Sequence, residues 1–112
     1  MTREQMRRCI DECLNCMEAC NVCYDACLKE KDAAMMRECI RLDRLCADMC
    51  EFAARAMTQS SPYAAKICSL CAQICDDCGG ECGKHEMDHC RRCAEACKRC
   101  ADVCREMASQ TA

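Results

Sequence analysis

Residues 9–27 read CIDECLNCMEACNVCYDAC. Cysteines stand at 9, 13, 16, 20, 23 and 27, so the steps alternate between four and three. At about 100° per residue on an α-helix, this span closes about five whole turns. Cys9, Cys13, Cys16, Cys20, Cys23 and Cys27 therefore share one narrow stripe, roughly 27 Å long at 1.5 Å per residue. This is the seam of a bundle helix, with sulfur where leucine normally sits.

The pattern recurs along the chain. A first helix is predicted over 2–28, with Thr2 and Gln5 as a capping box. Residues 29–32 form a polar connection, and Asp32 suits the N-cap of a second helix over 33–57. That helix has a sparser stripe, Cys39, Cys46 and Cys50, beside an apolar row of Met35, Leu42, Leu45, Met49 and Phe52. Residues 58–62 make the clearest break, with Ser61 and Pro62 reading as N-cap and N1. A third helix over 62–82 carries Cys68, Cys71, Cys75, Cys78 and Cys82, with Gly83 expected in the left-handed C′ role. A fourth, over 86–108, carries Cys90, Cys93, Cys97, Cys100 and Cys104. Residues 109–112 read as a frayed tail.

Four amphipathic helices of similar length with short loops predict an all-α fold, an antiparallel up-down-up-down four-helix bundle with a cysteine-lined core. At 112 residues, one domain over 1–112 is expected. The first 13 residues carry charges throughout and show no apolar signal segment, and no run is long enough to span a membrane. A cytosolic location is therefore expected, where thiols stay reduced. A net charge of −3, no basic face, and one Phe, two Tyr and no Trp argue against nucleic acid as a partner.

Nineteen cysteines in phase exceed what small core residues need, since leucine fills a core better at about 0.8 kcal/mol per buried CH₂. Disulfides within one helix have poorly placed Cβ vectors, and bridges between helices are expected only as products of air oxidation. Metal binding remains. Zinc prefers closed sets of four ligands on knuckles and loops, and iron–sulfur cysteine runs are absent. Copper(I) is soft, and two or three sulfurs satisfy it. Pairs such as Cys9/Cys13, Cys16/Cys20 and Cys23/Cys27 set two sulfurs side by side. With bridging thiolates the tube has room for on the order of 15–20 Cu(I) ions.

The segments at 9–27, CIRLDRLCADMC at 39–50, ICSLCAQICDDCGGECGKHEMDHC at 67–90 and CRRCAEACKRCADVC at 90–104 closely resemble the bacterial cytosolic copper storage proteins. The resemblance covers most of the chain. It implies a homotetramer of bundles, reversible Cu(I) storage and no catalysis. Exported members carry a leader that is not seen here. Exchange with a copper chaperone or a cuproenzyme would follow from such a role.

Alternating helix direction sorts the two ends. One gathers Met6, Met57 and Met107, with Ala64, and methionine there reads as a plug or as a thioether ligand. The other gathers Cys27, Cys39, Cys82 and Cys90, with Met35, Met36, His85, Met87 and His89 nearby. Neutral imidazole suits copper, so His85 and His89 are expected as outer ligands of an entry port. Histidines at the open end of related bundles, as the resemblance implies, support this. Asp43 occupies a seam position, either as a surface carboxylate paired with Arg44 or another cation, or as a partner of thiols or copper. The second rows, such as Ile10, Leu14, Met17, Tyr24 and Leu28, flank the core in part and leave a remainder for an oligomer contact. The rival readings are a zinc or general thiol-metal buffer and a thiol oxidoreductase. The second would need one distinguished thiol and a cleft.

Overall fold

The structure, a computed structural model, describes residues 2–110. Four helices make it up: α1 (Arg3–Leu28), α2 (Arg37–Thr58), α3 (Ala64–Cys82) and α4 (Asp88–Gln110). Each packs on two neighbours, α1 and α3 both lying against α2 and α4. The result is a rod of 45 × 19 × 19 Å. Short connections force successive helices to run antiparallel.

The ends of the helices follow local chemistry. At the start of α1, Thr2 Oγ1 accepts from Gln5 N at 3.0 Å and Gln5 Oε1 accepts from Thr2 N at 2.9 Å, a complete capping box. Asp32 Oδ1 accepts from Met35 N at 3.2 Å. It caps a 3₁₀ turn, Ala33–Met36, so the α-helix itself begins at Arg37, later than expected.

Between α2 and α3 the chain departs from the sequence reading. Ser61 N donates to Ala56 O at 2.9 Å and Ser60 N to Met57 O at 3.0 Å, with Ser60 at φ 53°. This is a Schellman motif with serine in the left-handed position that glycine usually fills. Ser61 Oγ then accepts from Tyr63 N at 3.1 Å. Pro62 and Tyr63 are spent in that turn, and α3 starts at Ala64 rather than at 62.

Gly83 also departs from expectation. Its φ is −64°, in the right-handed region, so it is not a left-handed C′ residue. The chain instead tightens into 3₁₀-type bonds, Lys84 N to Glu81 O and His85 N to Cys82 O, both at 3.1 Å. Gly79 has a packing role: a Cβ there would stand 3.1 Å from Cys97 Cβ, so glycine allows α3 and α4 to approach closely.

The fourth helix is shifted two residues from its expected span. Met87 O accepts from Cys90 N and Arg91 N, so helical bonding begins there rather than at Glu86. At the other end Ser109 and Gln110 are helical rather than frayed, and Thr111 and Ala112 lie outside the described residues. Among the described residues no helix is long and apolar enough to cross a membrane.

A thiol tube with one histidine-bearing end

All nineteen cysteines are free and buried, Cys9 at 1% exposure and the rest at 0%. The heptad-like steps put thiols at i and i+4 side by side: Cys16–Cys20 at 3.9 Å, Cys23–Cys27 at 3.7 Å, Cys71–Cys75 at 4.0 Å and Cys100–Cys104 at 3.9 Å. Packing then joins the stripes across helices. Cys46 Sγ is 3.6 Å from Cys75, and Cys16 Sγ is 3.7 Å from Cys97. Cys50 and Cys100, on diagonal helices, meet at 3.8 Å across the centre.

Sulfurs fall into sets of four whose Sγ atoms lie within 4.8 Å of one another. Cys16, Cys46, Cys50 and Cys75 form one; Cys16, Cys20, Cys46 and Cys97 form another; Cys20, Cys78, Cys93 and Cys97 form a third. The sets share members, so one thiolate can serve two ions. A metal–sulfur bond of about 2.3 Å places sulfurs about 4.0 Å apart around a trigonal ion and about 3.8 Å apart around a tetrahedral one. The observed spacings fit both, so distance alone does not choose between metals, whereas sharing favours an ion content with two or three sulfurs.

Asp43 resolves in favour of the thiols. It is fully buried. Its Oδ1 accepts from Cys93 at 3.2 Å, Cys78 at 3.3 Å and Cys82 at 3.4 Å, and Cys39 Sγ lies 3.7 Å from Oδ2. Arg44 turns outward to Asp48 at 2.7 Å and over the Tyr24 ring. Burial, followed by the neighbouring Cys93 and Cys78, pushes the Asp43 carboxyl up to about 10, so it holds its proton at neutral pH. A neutral carboxyl is what a metal-free thiol core tolerates.

The histidine-bearing end is built from the last turn of α1, the loop after it, the 3₁₀ turn, the end of α3 and the start of α4. Cys23, Cys27, Cys39 and Cys90 form a four-sulfur set there. His89 Nδ1 faces it, 3.5 Å from Cys23, 3.6 Å from Cys90 and 3.9 Å from Cys27. Its Nε2 lies 3.2 Å from Glu30 Oε1. His85 behaves differently: its Nε2 sits 3.1 Å from Glu81 Oε2. Of the two histidines, only His89 is brought to the thiols. Burial pushes the Cys27 thiol up, and Cys90 up to about 11, so both are protonated before metal arrives. Met36 is fully buried and Met87 packs on the core, so this end is also covered by methionine. At the opposite end Met57 and Met107 are buried, and Met6 packs against the core.

Sequence reasoning missed Glu30 and Glu81. Glu81 was within reach, as it stands only four residues before His85 in sequence. Glu30 had no local signal, because its partner lies 59 residues away.

The chain is similar to known proteins over nearly its whole length. A family model described as copper storage protein, Csp, matches residues 2–109. Apo copper storage protein 3 from Bacillus subtilis is 52% identical, with a TM-score of 0.86 over 91% of this chain and 97% of that one. A Cu(I)-bound copper storage protein, BsCsp3, is also 52% identical, with a TM-score of 0.90 over 93% and 98%. A cytosolic copper storage protein from Streptomyces lividans, loaded with five coppers, is 42% identical, with a TM-score of 0.92 over 96% and 94%. No curated protein sequence matches the chain. With a thiol-lined bundle and a family match spanning almost every residue, the chain belongs to the copper storage protein family.

Proposed function

We propose that this protein is a cytosolic, high-capacity Cu(I) store that holds its ions on the nineteen core thiolates. The observation that carries the reading is the sharing of thiols between neighbouring sulfur sets. Closed tetrahedral sites use four thiolates each, so zinc would saturate at about four ions. Shared thiolates with two or three sulfurs per ion raise the capacity several-fold. The Cu(I)-bound relative and the cytosolic relative support metal and location.

Copper enters at the histidine-bearing end, where His89 is the imidazole nearest to sulfur and His85, held by Glu81, is the second histidine of the port. Residues 1–112 act as one storage unit. Storage needs no reaction, and nineteen equivalent buried thiols single out no nucleophile. The exposed apolar residues Leu14, Leu45, Phe52 and Leu70 suit contact between bundles in a homotetramer. A copper chaperone or a cuproenzyme is the exchange partner.

The test is an anaerobic titration of the reduced protein with Cu(I), then Zn(II), against chromophoric chelators. Storage predicts more than about ten tightly held Cu(I) per chain. A plateau near about four ions with zinc preferred would assign the protein to zinc buffering instead.

A further inference from the structure

We infer that Glu30 is a positioning residue for copper entry: it holds the His89 ring with its proton on Nε2, so that the Nδ1 lone pair is aimed at the outermost sulfur set. The inference rests on the entry reading above and names a residue outside the thiol core that serves it.

A neutral imidazole carries one N–H and one free lone pair, and the hydrogen bond at one nitrogen decides which is which. At His89 the two nitrogens face opposite chemistry. Nε2 is 3.2 Å from the Glu30 carboxylate, an acceptor only. Nδ1 is 3.5 to 3.9 Å from Cys23, Cys90 and Cys27, which are thiols in the metal-free protein and can donate to it. The thiols are compatible with either role, because sulfur can also accept weakly from an imidazole N–H, so the Glu30 carboxylate, an acceptor only, is the contact that decides the tautomer. The Nε2–H donates to Glu30, and Nδ1 accepts until a metal ion replaces the thiol protons. Imidazole ligands are commonly oriented by a carboxylate on the other ring nitrogen.

Glu30 is itself placed for this task. It sits in the loop after α1, its N–H bonded to Cys27 O at 3.2 Å. The backbone that positions the carboxylate is thus anchored to a residue of the sulfur set that His89 faces. The pair also ties the α1–α2 loop to α4, with Glu30 a third exposed and His89 less so. His85 supplies an internal contrast: it too has a carboxylate on Nε2, but that partner is one turn away on its own chain segment and leads to no thiol contact. A carboxylate beside a histidine is therefore not the distinguishing feature of this end. The distinguishing feature is the carboxylate that spans two elements and leaves Nδ1 facing sulfur.

The experiment uses reduced, metal-free, full-length protein with ¹⁵N-histidine, at about pH 8. Long-range ¹H–¹⁵N correlation reads the tautomer, and a His85→Ala chain isolates the His89 signals. Stopped-flow uptake from a chromophoric Cu(I) donor is measured alongside. The expected result is an Nε2–H tautomer in the unmodified protein and in Glu30→Gln, whose amide oxygen still accepts. Glu30→Ala should give mixed tautomers and a first uptake phase slowed about tenfold, the lower end of the effect of losing such a partner. Glu30→Ala with the tautomer unchanged overturns the inference, as does a changed tautomer with uptake at the original rate while His89→Ala is slow. If His89→Ala itself takes up copper at the original rate, the entry reading fails, and with it the role in uptake; the tautomer still decides whether Glu30 sets the ring.

Discussion

The two ends of the tube share one thiol spacing and a methionine cover, and differ in the oxygen and nitrogen groups set against the thiols. At the far end Cys104 lies 3.9 Å from Cys9 and 3.7 Å from Cys13, and Met57 and Met107 are buried there. Toward the other end the same ladder admits oxygen and nitrogen. Asp43 takes three thiol donors on one oxygen, and His89 reaches three sulfurs while contacting a loop carboxylate. The lesson is a division of labour. Sulfur alone provides capacity, because every thiolate can bridge. The proposed exchange route relies on His89, a group that is partly exposed and also faces sulfur, at that end.

Filling the tube should erase this comparison most completely. Each ion that binds the folded state alone adds up to about 4 kcal/mol at a thousandfold excess over Kd. For a chain of this size 1 kcal/mol moves Tm by about 4 °C or more. Loaded protein should therefore melt at least about 20 °C above the apo form in calorimetry, and chelation of copper should reverse the gain. An unchanged Tm would mean that the thiols hold no metal in the native state.

Asp43 sharpens the comparison by pH. Its folded pKa is raised above the ordinary carboxylate value, so the apo protein binds more protons than the unfolded chain between about pH 4 and 10. The stability tied to this group is present at low pH and is lost as pH rises through that window. Asp43→Asn keeps an acceptor for the thiols without the charge. Relative to that variant, unmodified apo protein should lose roughly 5 kcal/mol between pH 5 and pH 9 in denaturant melts. Parallel stability curves for the two proteins would contradict the buried, protonated carboxyl.

Thiol removal at each end separates entry from capacity. Cys27→Ser with Cys90→Ser should slow the first phase of Cu(I) uptake about tenfold, whereas Cys100→Ser with Cys104→Ser should lower the final copper content and leave that phase alone. Equal slowing in both pairs would remove the distinction between the ends.

The smallest effects come from the glycine pair of α3. Gly80→Ala points into open space and should stabilise the apo protein by about 0.5–1 kcal/mol through helix propensity. Gly79→Ala meets Cys97 and should forfeit that gain or reverse it. Thermal melts of the two variants give the comparison directly.

How much of this was legible depends on whether the cause is local. Helix number, the inward face and the tube all follow from cysteines that stay in phase, because one period both buries a stripe and aligns thiols. The helix ends were less legible. Ser60 occupies a left-handed position that glycine would have flagged, while Gly83, which carried the flag, is right-handed. Asp43 stood out by its seam position, but its partners come from three helices, so the choice between Arg44 and the thiols waited on packing. The His89–Glu30 contact joins residues far apart in sequence and has no periodic signature. Its histidine was legible beside the last thiols; its carboxylate was not.

The central claim is that copper is held on thiolates shared between neighbouring ions. Copper K-edge X-ray absorption of the filled protein tests it most directly. The account predicts Cu(I) with a first shell of two or three sulfurs and a clear copper–copper contribution from bridged neighbours. A first shell dominated by nitrogen or oxygen, or sulfur-bound copper without metal neighbours at full loading, would contradict it.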